Sequence, residues 1–237
     1  MKSNLLKRIT QHLIIYSALL DNIGLMNGKM GIALFFYHLN KVSKDKNHLA
    51  FANKLINDIT SKLDYKIPRT FFDGLIGISW GIDHLIKSDF VLFEDDEILS
   101  ELDKILLEVN VVTLMDESFS TGIRGIAYYV ISRCSNKREI PKPFNREYIN
   151  VLYDRLRQMD QREAFVVHLQ SHLRHIVSGH IVEYDLNPFY KIIDNDPYDA
   201  NLFNQNRNIG ILNNGYTGIA LRILRNMELK NEKNYSY

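Results

Sequence analysis

Four histidines, His168, His172, His175 and His180, crowd into one short segment, and no other stretch is as rich in imidazole. On a helix His168 and His172 share a face and His175 follows at i+3, a spacing that suits two or three imidazole ligands on one metal ion. The same residues serve equally as an ordinary histidine-rich helix whose rings pair with nearby carboxylates. Asp73 stands just before Gly74, and Asp116 with Glu117 stands just before Gly122. Paired carboxylates at one site do acid–base work on glycosides. An Asp before a helix more often caps it, and Asp116 and Glu117 read most simply as solvated loop charges. Cys134 is the only cysteine, so no internal disulfide can form, which fits a reducing compartment. The chain carries no P-loop, dinucleotide fingerprint or nucleophile elbow.

These residues are set against a recurring glycine unit. It reads Gly28-Lys-Met-Gly31-Ile-Ala, Gly74-Leu-Ile-Gly77-Ile-Ser, Gly122-Ile-Arg-Gly125-Ile-Ala and Gly215-Tyr-Thr-Gly218-Ile-Ala. The first glycines are separated by 46, 48 and 93 residues. A fixed period of this length marks a repeat architecture, and halving the last gap places a degenerate copy near residue 169. Leu169 then takes the place of its first glycine and His172 of its second. Five units account for nearly the whole chain, so residues 1–237 are expected to form a single domain.

Each unit contains two kinds of helix. Segments 5–20, 47–63, 96–109 and 146–159 are amphipathic, with Leu49, Ala52, Ile56, Ile59 and Leu63 on one face of the second. The segment after each glycine motif is apolar nearly all round, as in Ile32 to Tyr37 and Ile126 to Ile131, and such a helix is buried. An all-α fold is the result, an outer ring of helices around an inner ring, with the glycines opening each inner helix. Tight turns there are expected to leave helix amides available at one rim. Trp80, Phe35, Phe36, Tyr37, Tyr128 and Tyr129 are assigned to the core. Residues 194–208 read as a long Asn/Asp-rich loop, and the end from Lys230 as a frayed polar tail.

Lys+Arg 29 against Asp+Glu 28 gives a net charge of +1, with no basic stripe to attract nucleic acid. Lys7, Arg8, Gln11 and His12 interrupt the first apolar run, so no signal peptide and no membrane insertion are expected, and the location is taken as cytoplasmic.

The glycine units in register, with Gly24-Leu-Met-Asn-Gly-Lys-Met-Gly-Ile-Ala-Leu34 and Ile211-Leu-Asn-Asn-Gly-Tyr-Thr-Gly-Ile-Ala-Leu221, resemble the lanthionine synthetase C (LanC-like) family over roughly residues 5–227. That resemblance implies an α/α toroid of helical hairpins, about five here where the family usually has seven. It also implies a peptide cyclase whose zinc is held by two cysteines and a histidine and activates a cysteine thiol for thioether closure. The first cysteine precedes a repeat glycine by two positions, where this chain has Ser120 in Phe119-Ser120-Thr121-Gly122. The family's Cys-His-Gly falls, by spacing, on Val167-His168-Leu169. Both cysteines are then absent and only His168 remains, so no cofactor is expected. The resemblance thus implies a member that does not catalyse cyclisation but binds a peptide or a partner maturation enzyme through Asp73, Ser120, Thr121, Arg124 and His168. The rival reading is an active enzyme, either a cyclase with a metal on His168 and His172 or a carbohydrate-active toroid using rim carboxylates.

Overall fold

The computed structural model describes residues 2–91, 97–195 and 208–234. Among these residues there are ten α-helices and no strand. They are α1 (Lys2–Tyr16), α2 (Lys29–Ser43), α3 (Lys46–Ser61), α4 (Leu75–Lys87), α5 (Glu97–Leu107), α6 (Ile123–Cys134), α7 (Arg146–Arg157), α8 (Ala164–Val177), α9 (Asn187–Asn195) and α10 (Tyr216–Asn234). The all-α class is borne out, and the alternation of amphipathic and fully buried helices holds from α2 to α7. Residues 29–39 of α2 and 75–85 of α4 are buried without interruption, as are Ile123 and residues 125–134 of α6. By contrast α3, α5 and α7 bury one stripe each, Ile149, Leu152 and Leu156 in α7. Side-chain caps start two of them: Asp45 accepts from the Asn47 amide at 2.9 Å and Asn145 from the Tyr148 amide at 2.8 Å. No described helix is long and apolar enough to cross a membrane.

Two local expectations change. Helix α9 covers part of the expected loop, and the remainder of 194–208 lies largely outside the described residues. Its signal was Phe189 and Ile193, one turn apart and both buried, behind Pro188 in the first turn. The end from Lys230 continues α10 to Asn234 rather than fraying at once.

The described residues form two compact units, one within 1–63 and 189–237 and one within 64–188. In the first, α2 packs against α3 and α10, and α1 packs against α10. Leu6, Ile9 and Leu13 of α1, Ala52, Leu55, Ile56 and Ile59 of α3, and Ile219, Ile223 and Leu224 of α10 supply its apolar faces. Polar ties fix the α2–α3 hairpin: the Tyr37 hydroxyl donates to Asn53 Oδ1 at 2.6 Å, and buried Lys29 pairs with Asp58.

In the second unit α4, α6 and α8 pack in succession, with α5 against α4 and α7 against α6 and α8. Charges are buried between α4, α5 and α6. Arg133 binds Asp103 through Nε and Nη2, both at 2.9 Å, and lies 3.5 Å from Asp83. The Tyr129 hydroxyl donates to Asp103 at 2.5 Å, while Asp83 takes Ser132 Oγ at 2.6 Å and Lys87 Nζ at 2.7 Å. Two acids balance two bases, and both carboxylates are at most 2% exposed. Burial holds the Lys87 ammonium below its ordinary range, against the pull of Asp83. A sequence of this kind gives no warning of the network, because Asp103 and Arg133 are thirty residues apart. Removing one partner strands the others in a dry site. Asp103→Ala is expected to cost about 3–5 kcal/mol, read as a lower urea midpoint with an unchanged slope. A loss under about 1 kcal/mol contradicts a network that must be kept paired.

Candidate functional site

In each unit the helix starts at the glycines form an edge held chiefly by backbone. Gly28, Gly74 and Gly122 are the capping residues of α2, α4 and α6, all in extended conformation and none with a side-chain cap. The first amide of each helix instead donates to the carbonyl seven residues earlier: Lys29 to Asn22, Leu75 to Pro68 and Ile123 to Asp116, each at 2.9 Å. In α10 the Tyr216 amide donates to Asn208 at 3.0 Å. These amides are therefore consumed by the preceding loop, contrary to the expectation that they stay available at the rim. The loop must lie flat against the helix start, and no side chain fits beneath it. A Cβ on Gly28, Gly74, Gly122 or Gly215 would come within 2.3, 2.0, 2.2 and 2.1 Å of loop backbone. On Gly31, Gly125 and Gly218 it would meet the carbonyls of Leu25, Phe119 and Ile211 at 2.3, 2.4 and 1.8 Å.

Neighbouring loops then join through the same device in both units. In one, the amides of Phe71 and Phe72 donate to the Ser120 carbonyl at 2.9 and 3.1 Å, and Phe71 presses on Gly125. In the other, the Ile211 amide donates to the Met26 carbonyl at 2.6 Å and the Ile211 side chain presses on Gly31. Beneath the first joint the rings of Phe71, Phe119, Tyr128 and Phe165 pack at 4.6 to 6.5 Å between centroids, with Trp80 at 5.7 Å from Phe71. Trp80 and Tyr128 are buried, as the sequence reading has them.

Asp73, Ser120, Thr121 and Arg124 all lie on this edge, at the starts of α4 and α6. Asp73 is not the helix cap, which is Gly74. The Ser120 hydroxyl lies 3.2 Å from that of Ser118. The Thr121 hydroxyl donates to Asp116, and its amide to Ser118 Oγ at 3.1 Å. Thr121 first, and then Ser118, hold the Asp116 carboxyl below its ordinary range. Asp116 thus orders its own loop rather than standing as a free acid. Arg124 makes a two-pronged ion pair with Glu163, at 2.5 and 3.2 Å.

His168 is not on the edge. Helix α8 is capped by Glu163, so the fourth copy begins there and not at Leu169. The physical reason is a contracted connection: only residues 158–163 separate α7 from α8, against 108–122 between α5 and α6. The short connection does not fold back over the helix start, so no glycine is needed there, and Leu169 is simply a buried core position. His168 sits inside α8 with Nε2 3.5 Å from Asp185. His172 Nδ1 lies 2.8 Å from the His168 carbonyl, and the two rings are 4.2 Å apart. The segment after α8 crosses the far ends of α4 and α6. There the Tyr184 hydroxyl lies 3.0 Å from His84 Nδ1 and the Asn136 amide donates to Val182, while farther along the segment the Asp185 carbonyl accepts from the hydroxyl of Tyr128, midway along α6. Cys134, the last residue of α6, is buried, and burial pushes its thiol up to about 12.

The sequence model of a family described as lanthionine synthetase C-like protein matches residues 20–176, well over half of the chain. This chain belongs to that family. No curated protein matches it.

Two measurements check this edge. Gly125→Ala forces a Cβ onto the Phe119 carbonyl, and a loss of about 3 kcal/mol is expected, read by chemical denaturation. A tolerated substitution contradicts the close approach. A double-mutant cycle on Arg124 and Glu163 is expected to give a coupling of about 1 kcal/mol that shrinks with added salt. Additive single mutants contradict the pairing.

Proposed function

We propose that this LanC-like protein binds a peptide, or the partner enzyme that processes it, through the glycine edge, and that it does not itself close thioether rings with zinc. The observation that carries this reading is the contracted repeat at α8. With Glu163 as the capping residue, the two positions before it, where the family resemblance expects cysteine and histidine, are Gln161 and Arg162. Gln161 donates to the carbonyls of Leu156 and Met159 at 3.0 and 2.8 Å, and Arg162 pairs with Asp160 at 2.7 Å. The third position is Ser120, whose carbonyl is bonded to Phe71 and Phe72. A hydroxyl, an amide and a guanidinium supply neither thiolate nor imidazole, and the guanidinium has no lone pair to give. Zinc does not fit this donor set. The lone cysteine does not substitute, since it is buried at the opposite end of α6 as a neutral thiol.

The same edge offers peptide-recognition chemistry. Asp73 and the Arg124–Glu163 pair bring charge of both signs, Ser120 and Thr121 bring hydroxyls, and Asp73, Ser120, Thr121 and Arg124 stand at the starts of α4 and α6. The family's substrates are peptides, which such a polar edge suits. Titration with candidate lanthipeptide precursor peptides is expected to give saturable binding that weakens several-fold in Asp73→Ala and Thr121→Ala. In parallel, a dehydrated precursor with free cysteines is expected to keep its thiols over hours of incubation with protein and added zinc. Absence of binding at high micromolar peptide removes the binding half of the proposal. Protein-dependent loss of thiols, with thioether mass signatures, overturns the other half.

A further inference from the structure

The other end of α8 carries a feature that the family edge does not use. The helix stops at a left-handed glycine, Gly179, with φ +78°. The Gly179 amide donates to the Ile176 carbonyl and the His180 amide to the His175 carbonyl, both at 3.0 Å. This is the two-bond helix stop in which residues 175 and 180 are brought face to face, and that pair is commonly apolar. Here both are histidine. Their rings lie 5.9 Å apart between centroids at 64°, and both side chains are exposed. They open on a groove of about 440 Å³ that Tyr153, Gln170, Ser171 and Ser178 also line.

We infer that His175 and His180 form a two-imidazole site for a divalent transition metal ion. Two imidazoles sharing one ion at about 2.1 Å place their ring centroids roughly 5–6 Å apart, which matches the pair as it stands. The backbone bond between the two residues holds them side by side before any ion arrives, and their exposed rings need only rotate to share it. The negative end of the α8 dipole lies at this terminus and favours a cation. Imidazole selects copper, nickel or zinc over calcium and magnesium, with copper(II) bound tightest. Arg174 lines the same groove and its charge opposes the ion, which holds the affinity down. Among the described residues no three His, Cys, Asp or Glu side chains group to hold a metal. The protein therefore gives two ligands, and water or an incoming group completes the shell.

The pair singled out by sequence spacing is built differently. The His168 and His172 rings are 4.2 Å apart, too close to share an ion in this way, and His168 faces Asp185. The site also stands apart from the glycine edge, so the two proposals fail separately.

The test is copper(II) titration of the untagged protein, followed by calorimetry and by electron paramagnetic resonance. One equivalent should bind with nitrogen hyperfine structure from two imidazoles. His175→Gln and His180→Gln should each weaken binding at least ten-fold, while His168→Gln and His172→Gln leave it unchanged. Gly179→Val, which keeps both rings but strains the left-handed stop, should weaken binding by an intermediate amount. Circular dichroism confirms that each variant is folded, and the exposure of both rings makes their replacement tolerable. Copper affinity that survives both His175→Gln and His180→Gln overturns the inference. So does an equal loss in His172→Gln.

Discussion

The return of each edge loop onto the first turn of the following helix is the contact on which the rest of the structure depends. A backbone bond reaching seven or eight residues back, with a carbonyl lying over the second glycine in α2, α6 and α10, presses loop and helix together without an intervening side chain. The contact does three things at once. It consumes helix-start amides that would otherwise need a cap or water. It sets the angle at which the buried helix leaves the loop. It also offers a carbonyl, that of Met26 or Ser120, to the loop of the neighbouring repeat. Two joints in two separate units use this same arrangement, so the motif is a unit of construction and not a local accident.

Helix α8 lacks that contact, and its packing differs accordingly. Its preceding loop is contracted and has no glycine, and α8 buries only one stripe, with Val167 left 45% exposed. The tie to the neighbouring repeat passes from backbone to side chains, through Arg124 and Glu163. An ion pair of this exposure is weaker and more salt-sensitive than a buried backbone joint.

Away from that edge, the second unit buries a charge network that must stay paired. Asp83, Asp103, Lys87 and Arg133 tie the far ends of α4 and α6 to α5, and the segment around Tyr184 covers them. Such a network specifies which helices meet, because an unpaired member is far more costly than a missing apolar contact. This unit then has a backbone-built edge at one end of its helices and a charge-built floor at the other. The polar recognition we propose belongs to the first, and the two-histidine helix stop lies beyond the second.

The sequence by itself determined the helical class, the alternation of amphipathic and buried helices, and the four glycine units. These are properties of local spacing: the 3.6-residue period and the need for no Cβ beneath a folded-back loop are written in adjacent residues. It also placed Asp73, Ser120, Thr121 and Arg124 on one edge, since each is fixed by its distance from a glycine. Only the tertiary structure decided the register of the fourth copy, because a short connection changes the spacing while leaving no residue to mark it. It moved His168 into the body of α8 and brought His175 against His180 through a left-handed glycine rather than through helical periodicity. It alone joined Asp103 to Arg133 and Arg124 to Glu163. Those pairs are separated by thirty or more residues, and charge pairing at that range depends on how whole helices pack, which no local pattern records.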